Sequence, residues 1–108
     1  MFNYSNFNYD HFADLINSCV LRAKEAAKLV DDSGTVNNDC LVLTFLYGKP
    51  LYRFLDVGLP VTKRTGFAGQ FWLDIQFGQA NRNAEFCRQL TEMLRTAGIM
   101  SSVVAVSD

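Results

Sequence analysis

The chain has a single histidine, His11, which stands beside Asp10 near the N-terminus. Adjacent residues of a helix point in different directions, so this neighbourhood does not predict a His-Asp dyad. One histidine is too few for a multi-histidine zinc site, and the cysteines lack the spacing of a zinc finger. We therefore expect a surface or capping histidine and no metal site.

The three cysteines, Cys19, Cys40 and Cys87, are an odd number without a CxxC motif. Each falls on the apolar stripe of its predicted element, and a free cysteine there behaves as a small buried apolar residue. We expect three buried free thiols and a reducing compartment, the cytoplasm. A nucleophilic cysteine would need His11 to approach Cys40 or Cys87 in the folded chain.

Two carboxylates, Asp56 and Asp74, fall in predicted strands with Arg53 nearby. They could do acid-base chemistry if their surroundings separated their pKa values, but an ordinary cross-strand ion pair is the simpler interpretation. Residues 78–83 lead from a strand into a helix, where backbone N–H groups attract anions, yet the chain has no glycine-rich phosphate-binding motif. No catalytic residue and no cofactor are predicted.

Length and composition predict one soluble domain over residues 1–108. Hydrophobic residues make up 49% of the chain and charged residues 19%, which is typical of globular proteins. A net charge of -1 supplies no general attraction for nucleic acid or for an acidic membrane surface. The N-terminus lacks the features of a secretory signal, and no apolar run approaches the length of a membrane span.

Apolar residues at three-and-four spacing predict two helices, over residues 10–30 and 80–97. Asn8 or Asp10 can cap the first helix, because a short side-chain acceptor satisfies a free N–H of the first turn. Gly98 suits the left-handed position that follows the second helix.

Four strands are predicted between and after these helices, at residues 40–47, 51–57, 70–77 and 99–106. The first is apolar on both faces and is the best candidate for a central strand. Residues 58–69 hold Lys63 and Arg64 and are interpreted as a long basic loop.

The element order α-β-β-β-α-β predicts an α+β fold, a two-layer sandwich with both helices on one face of a mixed four-stranded sheet. The first three strands form an antiparallel meander, and the second helix crosses over to a last strand that runs parallel to the third. The other sheet face is left open, although the chain has nine Phe, four Tyr and one Trp to cover. Open apolar surface of this kind usually marks an interaction site.

We therefore expect a non-enzymatic protein-interaction module, or a small accessory or inhibitor protein, that acts as a two-fold homodimer through its open sheet face. The candidate partner-binding residues are Trp72, Tyr52, Phe54, Lys63 and Arg64. One alternative is a small-molecule binding protein or enzyme with a pocket between the sheet and the first helix. A cluster of Asp56, Asp74, Arg53 and His11 around a cavity would favour an enzyme. The other alternative is an RNA-binding domain, which would bring together Lys49, Lys63, Arg64 and Arg82.

Overall fold

Within residues 7–34, 37–46 and 49–105, which a computed structural model describes, the chain forms three helices and a four-stranded antiparallel sheet. This is the α+β class predicted from the sequence. The elements are α1 (Tyr9–Ala27), β1 (Cys40–Thr44), α2 (Leu51–Asp56), β2 (Val61–Lys63), β3 (Gln70–Leu73), α3 (Ala80–Thr96) and β4 (Ser101–Val104). The ends of two predicted strands, at residues 47 and 106, lie outside the described residues.

The two long helices form where the apolar periodicity predicts them. Asn8 caps α1, because its side-chain oxygen accepts a hydrogen bond of 3.0 Å from the His11 N–H. At the other end of the chain, Gly98 takes the left-handed conformation with a φ of 85° directly after α3. The N–H of Ile99 then donates back to the carbonyl of Leu94 over 2.8 Å, which closes the helix as predicted.

The predicted strand at residues 51–57 is wrong, because this segment forms the short helix α2. A strand that buries Phe54 would also turn Tyr52 toward the core, whereas Phe54 is buried and Tyr52 is exposed. Helical geometry resolves this conflict by turning Phe54 inward and leaving its neighbours outside. Gly58 ends the helix with a φ of 82°, and the N–H of Leu59 donates to the carbonyl of Phe54.

The segment predicted as a basic loop, residues 58–69, contains the missing strand. Val61–Lys63 is β2, which forms a hairpin with β3 through the turn at residues 64–69. This strand was not predicted from the sequence, because it has only three residues and lies between Pro60 and a glycine-rich turn. The corrected element order is therefore α-β-α-β-β-α-β.

The strand order of the sheet is β2-β3-β1-β4, and every neighbouring pair is antiparallel. The prediction of a mixed sheet is wrong, although β3 and β4 do run in the same direction, as the crossover through α3 requires. The physical reason is that β1, whose Leu41, Val42 and Leu43 are all buried, lies between them and pairs with both. The prediction of a central first strand is confirmed.

The core lies on one side of this sheet. Leu41, Leu43, Phe71 and Leu73 alternate along β1 and β3 onto one face and belong to one cluster with the buried side chains of α1 and α3. At one end, this core becomes almost wholly aromatic, and ring centroids lie 5.2 to 6.2 Å apart. Its rings are those of Phe7, Phe12, Phe45, Phe54 and Phe71.

Candidate binding cleft

An apolar cleft of about 420 Å³ opens at the aromatic end of the core. Three parts of the fold form its walls: the start of α1, the end of β1 and the turn from α3 into β4. Its apolar side chains are those of Phe7, Phe12, Phe45, Leu46, Ile99 and Met100, and Thr44 and Lys49 add polar groups. The cleft therefore lies between the sheet and the first helix, where the sequence analysis placed the pocket of its small-molecule alternative.

A backbone hydrogen bond and a glycine turn hold these walls together. The N–H of Thr44 donates to the carbonyl of Met100 over 3.0 Å, which sets the end of β1 beside the start of β4. Gly98 reverses the chain after α3, and a Cβ atom built on it would meet nothing within 4 Å. The turn thus leaves open space beside the cleft, while Ile99 folds back into the core.

The floor of the cleft is aromatic and its rim is exposed. Phe7 and Phe12 are buried, with centroids 5.3 Å apart, and the ring of Phe45 stands edge-on to Phe7 at 6.0 Å. At the rim, Leu46 keeps 79% of its surface in solvent and Met100 keeps 54%. Large apolar side chains that remain exposed beside a concave apolar floor are typical of binding sites.

Lys49 supplies the positive charge of the described lining. Its ammonium nitrogen lies 5.1 Å from the centroid of Phe7 and 5.9 Å from that of Phe45, within cation–π range of both rings. Partial burial lowers the pKa of Lys49 below its ordinary value, because removal from water disfavours the charged form. Lys49 is therefore the cationic side chain of the described lining beside which an anionic group of a ligand would lie.

The five predicted partner-binding residues do not form one surface. Trp72 and Arg64 lie together on the open sheet face, where the guanidinium carbon of Arg64 is 5.0 Å from the indole centroid. Lys63 lies opposite Phe71 in register, on the face that holds the core. Tyr52 is exposed on α2, and Phe54 is buried in the core, where it is not available to a partner.

The open sheet face is also less apolar than predicted. Its central row runs across the four strands through Thr62, Trp72, Val42 and Ser102. Val42 is fully buried and Trp72 is half-buried, so little apolar surface remains accessible there. The large apolar surplus expected on this face is reduced to Trp72 and the exposed Phe67, because most of the described aromatic side chains lie on the helix side and around the cleft instead.

The carboxylates and the histidine stay apart from one another. Asp74 accepts a hydrogen bond from the Thr62 hydroxyl on the open sheet face. Arg53 and Asp56 border a shallow polar depression beside the start of α1, and neither Asp74 nor His11 belongs to its described lining. The cluster that would favour an enzyme is not formed by these four residues.

The beginning of α3, the predicted anion site, is already bound by a carboxylate of the chain itself. Asp32 accepts a hydrogen bond of 3.0 Å from the Gln79 N–H and pairs with Arg82 at 3.2 Å. Gly78 makes room for this contact, because a Cβ atom there would come within 2.6 Å of the Asp32 carboxylate. The segment therefore joins the loop after α1 to α3.

Two of the three thiols are buried, and the third is half-buried. Cys19 and Cys87 are buried free cysteines as predicted, whereas Cys40 is half-buried, so the prediction is wrong for Cys40. Burial raises the pKa of Cys87 to about 12, and its thiol donates to the Asp39 carbonyl over 3.4 Å. Burial also raises the pKa of Cys40. Neither sulfur has the lowered pKa that marks a reactive nucleophile.

The four cations of the RNA-binding alternative are dispersed. Lys49 lines the cleft, Arg64 lies on the open sheet face, Lys63 is at the β2 edge and Arg82 is bound to Asp32. They do not form the single basic face that RNA binding would require.

Residues 7–34, 37–46 and 49–105 offer neither a cluster of metal ligands nor a membrane-spanning helix. No group of three or more His, Cys, Asp or Glu side chains in them could hold a metal ion. None of their helices combines the length and the apolar character needed to cross a membrane. A scan against models of protein families, a search of curated proteins and a search of solved structures each found nothing that matches this chain.

Proposed function

We propose that this chain is a non-enzymatic binding protein whose cleft holds a small amphipathic molecule with an apolar body and an anionic group. The observation that carries the proposal is the cleft of about 420 Å³ with its aromatic floor and its single lysine. Ligand sites of proteins are mostly apolar concavities of roughly 300 to 1,000 Å³ with a few polar groups that fix orientation. The free thiols fit a cytoplasmic location, which belongs to the same proposal.

The lining supports both parts of this ligand. An alkyl or aromatic body would lie on Phe7 and Phe45 and cover the exposed parts of Leu46 and Met100. Removing a fully exposed apolar side chain of this size from water contributes about 1.5 to 3 kcal/mol. Leu46 and Met100 are partly exposed, so each contributes a fraction of that value. The anionic group would pair with Lys49 in a setting that is already partly desolvated, where ion pairs are stronger than in bulk water.

The test uses two fluorescent probes that share an apolar body. Anilinonaphthalene sulfonate carries a negative charge, and phenylnaphthylamine is neutral. We expect the wild type to bind both, and Lys49→Gln to weaken the sulfonate about tenfold, or roughly 1.4 kcal/mol, while leaving the neutral probe unchanged. If Lys49→Gln changes the affinity for the two probes by the same factor, or changes neither, Lys49 does not recognise the negative charge. The anionic group would then be removed from the proposal.

A matched pair of leucine variants tests the place of binding. Leu46→Ser removes a rim side chain and should weaken both probes, whereas Leu29→Ser removes a leucine that is 86% exposed and lies outside the cleft lining. Circular dichroism establishes that both variants fold. If Leu29→Ser and Leu46→Ser weaken binding equally, the probes bind a general apolar surface and the cleft is not the site.

A protein partner on the open sheet face is a second candidate, which one observation favours. The Arg64 guanidinium carbon lies 3.8 Å from the ring centroid of Phe67 and 5.0 Å from that of Trp72, so an exposed aromatic ring, an arginine and an indole form one platform. Arginine and aromatic residues are enriched in protein interfaces. This candidate is supported by a protein partner that binds to the wild type and to Tyr52→Ser but not to Phe67→Ser. Equal binding of that partner to all three proteins contradicts the candidate.

A further inference from the structure

We propose that β4 pairs with β4 of a second copy of this chain, antiparallel and across a two-fold axis at Val103, so that two sheets join into one. This surface is separate from the cleft and from the open sheet face. It is the outer edge of a strand, and pairing about Val103 makes this edge self-complementary, which fits a second copy of this chain.

The hydrogen-bond pattern shows which groups of β4 face outward. The N–H of Thr44 donates to the carbonyl of Met100, so this pair is a hydrogen-bonded pair of the β1–β4 ladder. Hydrogen-bonded and non-hydrogen-bonded pairs alternate along antiparallel strands. Ser102 and Val104 therefore turn their backbone groups toward β1, and Ser101 and Val103 turn theirs to the outer edge, where no described strand pairs with them.

The two edges of the sheet differ in how they are protected. At the β2 edge, Lys63 projects from the strand, and a charged side chain on an edge strand disfavours pairing with another strand. Along β4, residues 101–104 are two serines and two valines, followed by Ala105, with neither a charge nor a proline. An unprotected edge of this kind is a template for a further strand.

Val103 fixes the register of the second copy. Its side chain lies on the helix side of the sheet, opposite Leu41, and is 38% exposed. Antiparallel pairing about Val103 brings the two Val103 side chains next to each other and sets Ser101 opposite Ala105 of the other copy. In each of these pairs the residues exchange two hydrogen bonds. A two-fold axis normal to the sheet also keeps the helices of both copies on the same side.

Mass in solution tests the pairing. Sedimentation and light scattering of the whole chain, from about 1 μM to about 1 mM, cover the range in which interfaces of modest size dissociate. We expect a mass that rises with concentration from that of the 12.2 kDa chain toward twice that value. The proposal is wrong if the wild type stays monomeric over this whole range. This holds even if the edge then binds a strand of another protein, because the proposed occupant is a second copy of this chain.

Two changes at one position distinguish edge pairing from other contacts. Val103→Pro removes an outward N–H that donates to no strand of the described sheet, and Val103→Lys adds the type of charge that protects the β2 edge. Both should be monomers with unchanged circular dichroism. Lys63→Glu, a charge change at the opposite edge, should dimerise like the wild type. A folded Val103→Pro or Val103→Lys that still dimerises, or a monomeric Lys63→Glu, overturns the assignment of this edge.

Ser102→Pro tests the direction of the backbone groups. The Ser102 N–H faces β1, so its loss breaks the ladder to Val42 and should lower the melting temperature, whereas Val103→Pro leaves that ladder intact. If Ser102→Pro is monomeric and stable while Val103→Pro unfolds, the outward and inward residues are reversed and the proposed register is wrong.

Discussion

Replacement of Asn83 is the sharpest test of how the fold is held together, because this amide joins three separate segments. Asn83 is fully buried in α3. Its side-chain oxygen accepts from the Phe77 N–H over 3.1 Å, and its nitrogen donates to the Asn37 side chain over 3.0 Å and to the Asp39 carbonyl over 3.2 Å. The amide thus ties α3 to the segment before β1 and to the segment after β3.

Asn83→Leu keeps the approximate volume of the side chain and removes all of these bonds. A buried polar group left without its partner costs about 1 to 3 kcal/mol. The part-buried Phe77 N–H loses this acceptor, while the Asp39 carbonyl keeps the Cys87 thiol at 3.4 Å and the Gln76 amide at 3.4 Å. We therefore expect a loss of about 2 to 4 kcal/mol, or roughly 10 to 25 °C in melting temperature for a domain of this size.

Urea and thermal unfolding measure this loss, and Asn17→Leu on the exposed side of α1 is the control, expected within about 0.5 kcal/mol of wild type. A second variant, Asn83→Asp, sets a carboxylate against the Asn37 and Asp39 oxygens. The fold should raise the pKa of the introduced carboxyl, so the penalty grows as pH rises above its ordinary value and shrinks in acid. An Asn83→Leu protein as stable as its control would refute the assigned network.

Three further results follow from local chemistry. Cys87, with its pKa raised to about 12, should resist thiol reagents at pH 8 until the chain is unfolded; rapid native labelling, read by mass spectrometry, contradicts its burial. Hydrogen bonds from Arg88 and Gln89 lower the pKa of Glu85 to about 2, so the stability that Glu85→Gln removes is present above pH 4.5 and disappears as pH falls toward about 2. Gly69→Ala should destabilise more than Gly66→Ala in urea unfolding. Both have positive φ, but only at Gly69 would a Cβ atom lie 2.5 Å from a backbone carbonyl.

Local signals made the helices predictable. The apolar spacing along α1 and α3 reports a buried face directly, and Asn8 and Gly98 mark helix ends through interactions with residues three to five positions away. These features depend on few distant contacts, so the sequence alone was enough to place both helices to within a few residues.

α2 was not predictable in the same way, because its conformation is decided by distant residues. A segment of only six residues is compatible with a strand or a helix. The choice depends on burying Phe54 alone, against rings that the chain brings in from the start of α1, the end of β1 and the middle of β3. No spacing within residues 51–57 reports that arrangement.

A pocket between the sheet and the first helix was an open alternative from the sequence, and the residues named for it, Asp56, Asp74, Arg53 and His11, do not belong to the described lining of the cleft. Its side chains come from the three walls and from Lys49, and no two of the aromatic floor residues share a motif. The available signals were Gly98, which requires a reversal between α3 and β4, and Phe7, an aromatic residue just before a helix cap. Counting apolar residues assigned a surplus to the open sheet face, because the count does not say which face each residue occupies.

The cleft and the β4 edge rest on different parts of the molecule, and this makes their tests independent. The cleft depends on the side chains of Phe7, Phe45 and Lys49, whereas the edge depends on backbone groups at Ser101 and Val103. A monomeric Val103→Pro protein should therefore bind the sulfonate probe with wild-type affinity, since every lining residue is retained. Met100 lies in the rim and directly precedes the edge strand. If affinity for the probe changes when the dimer dissociates, the second copy must alter the rim at this point, and dimerisation would then regulate the cleft.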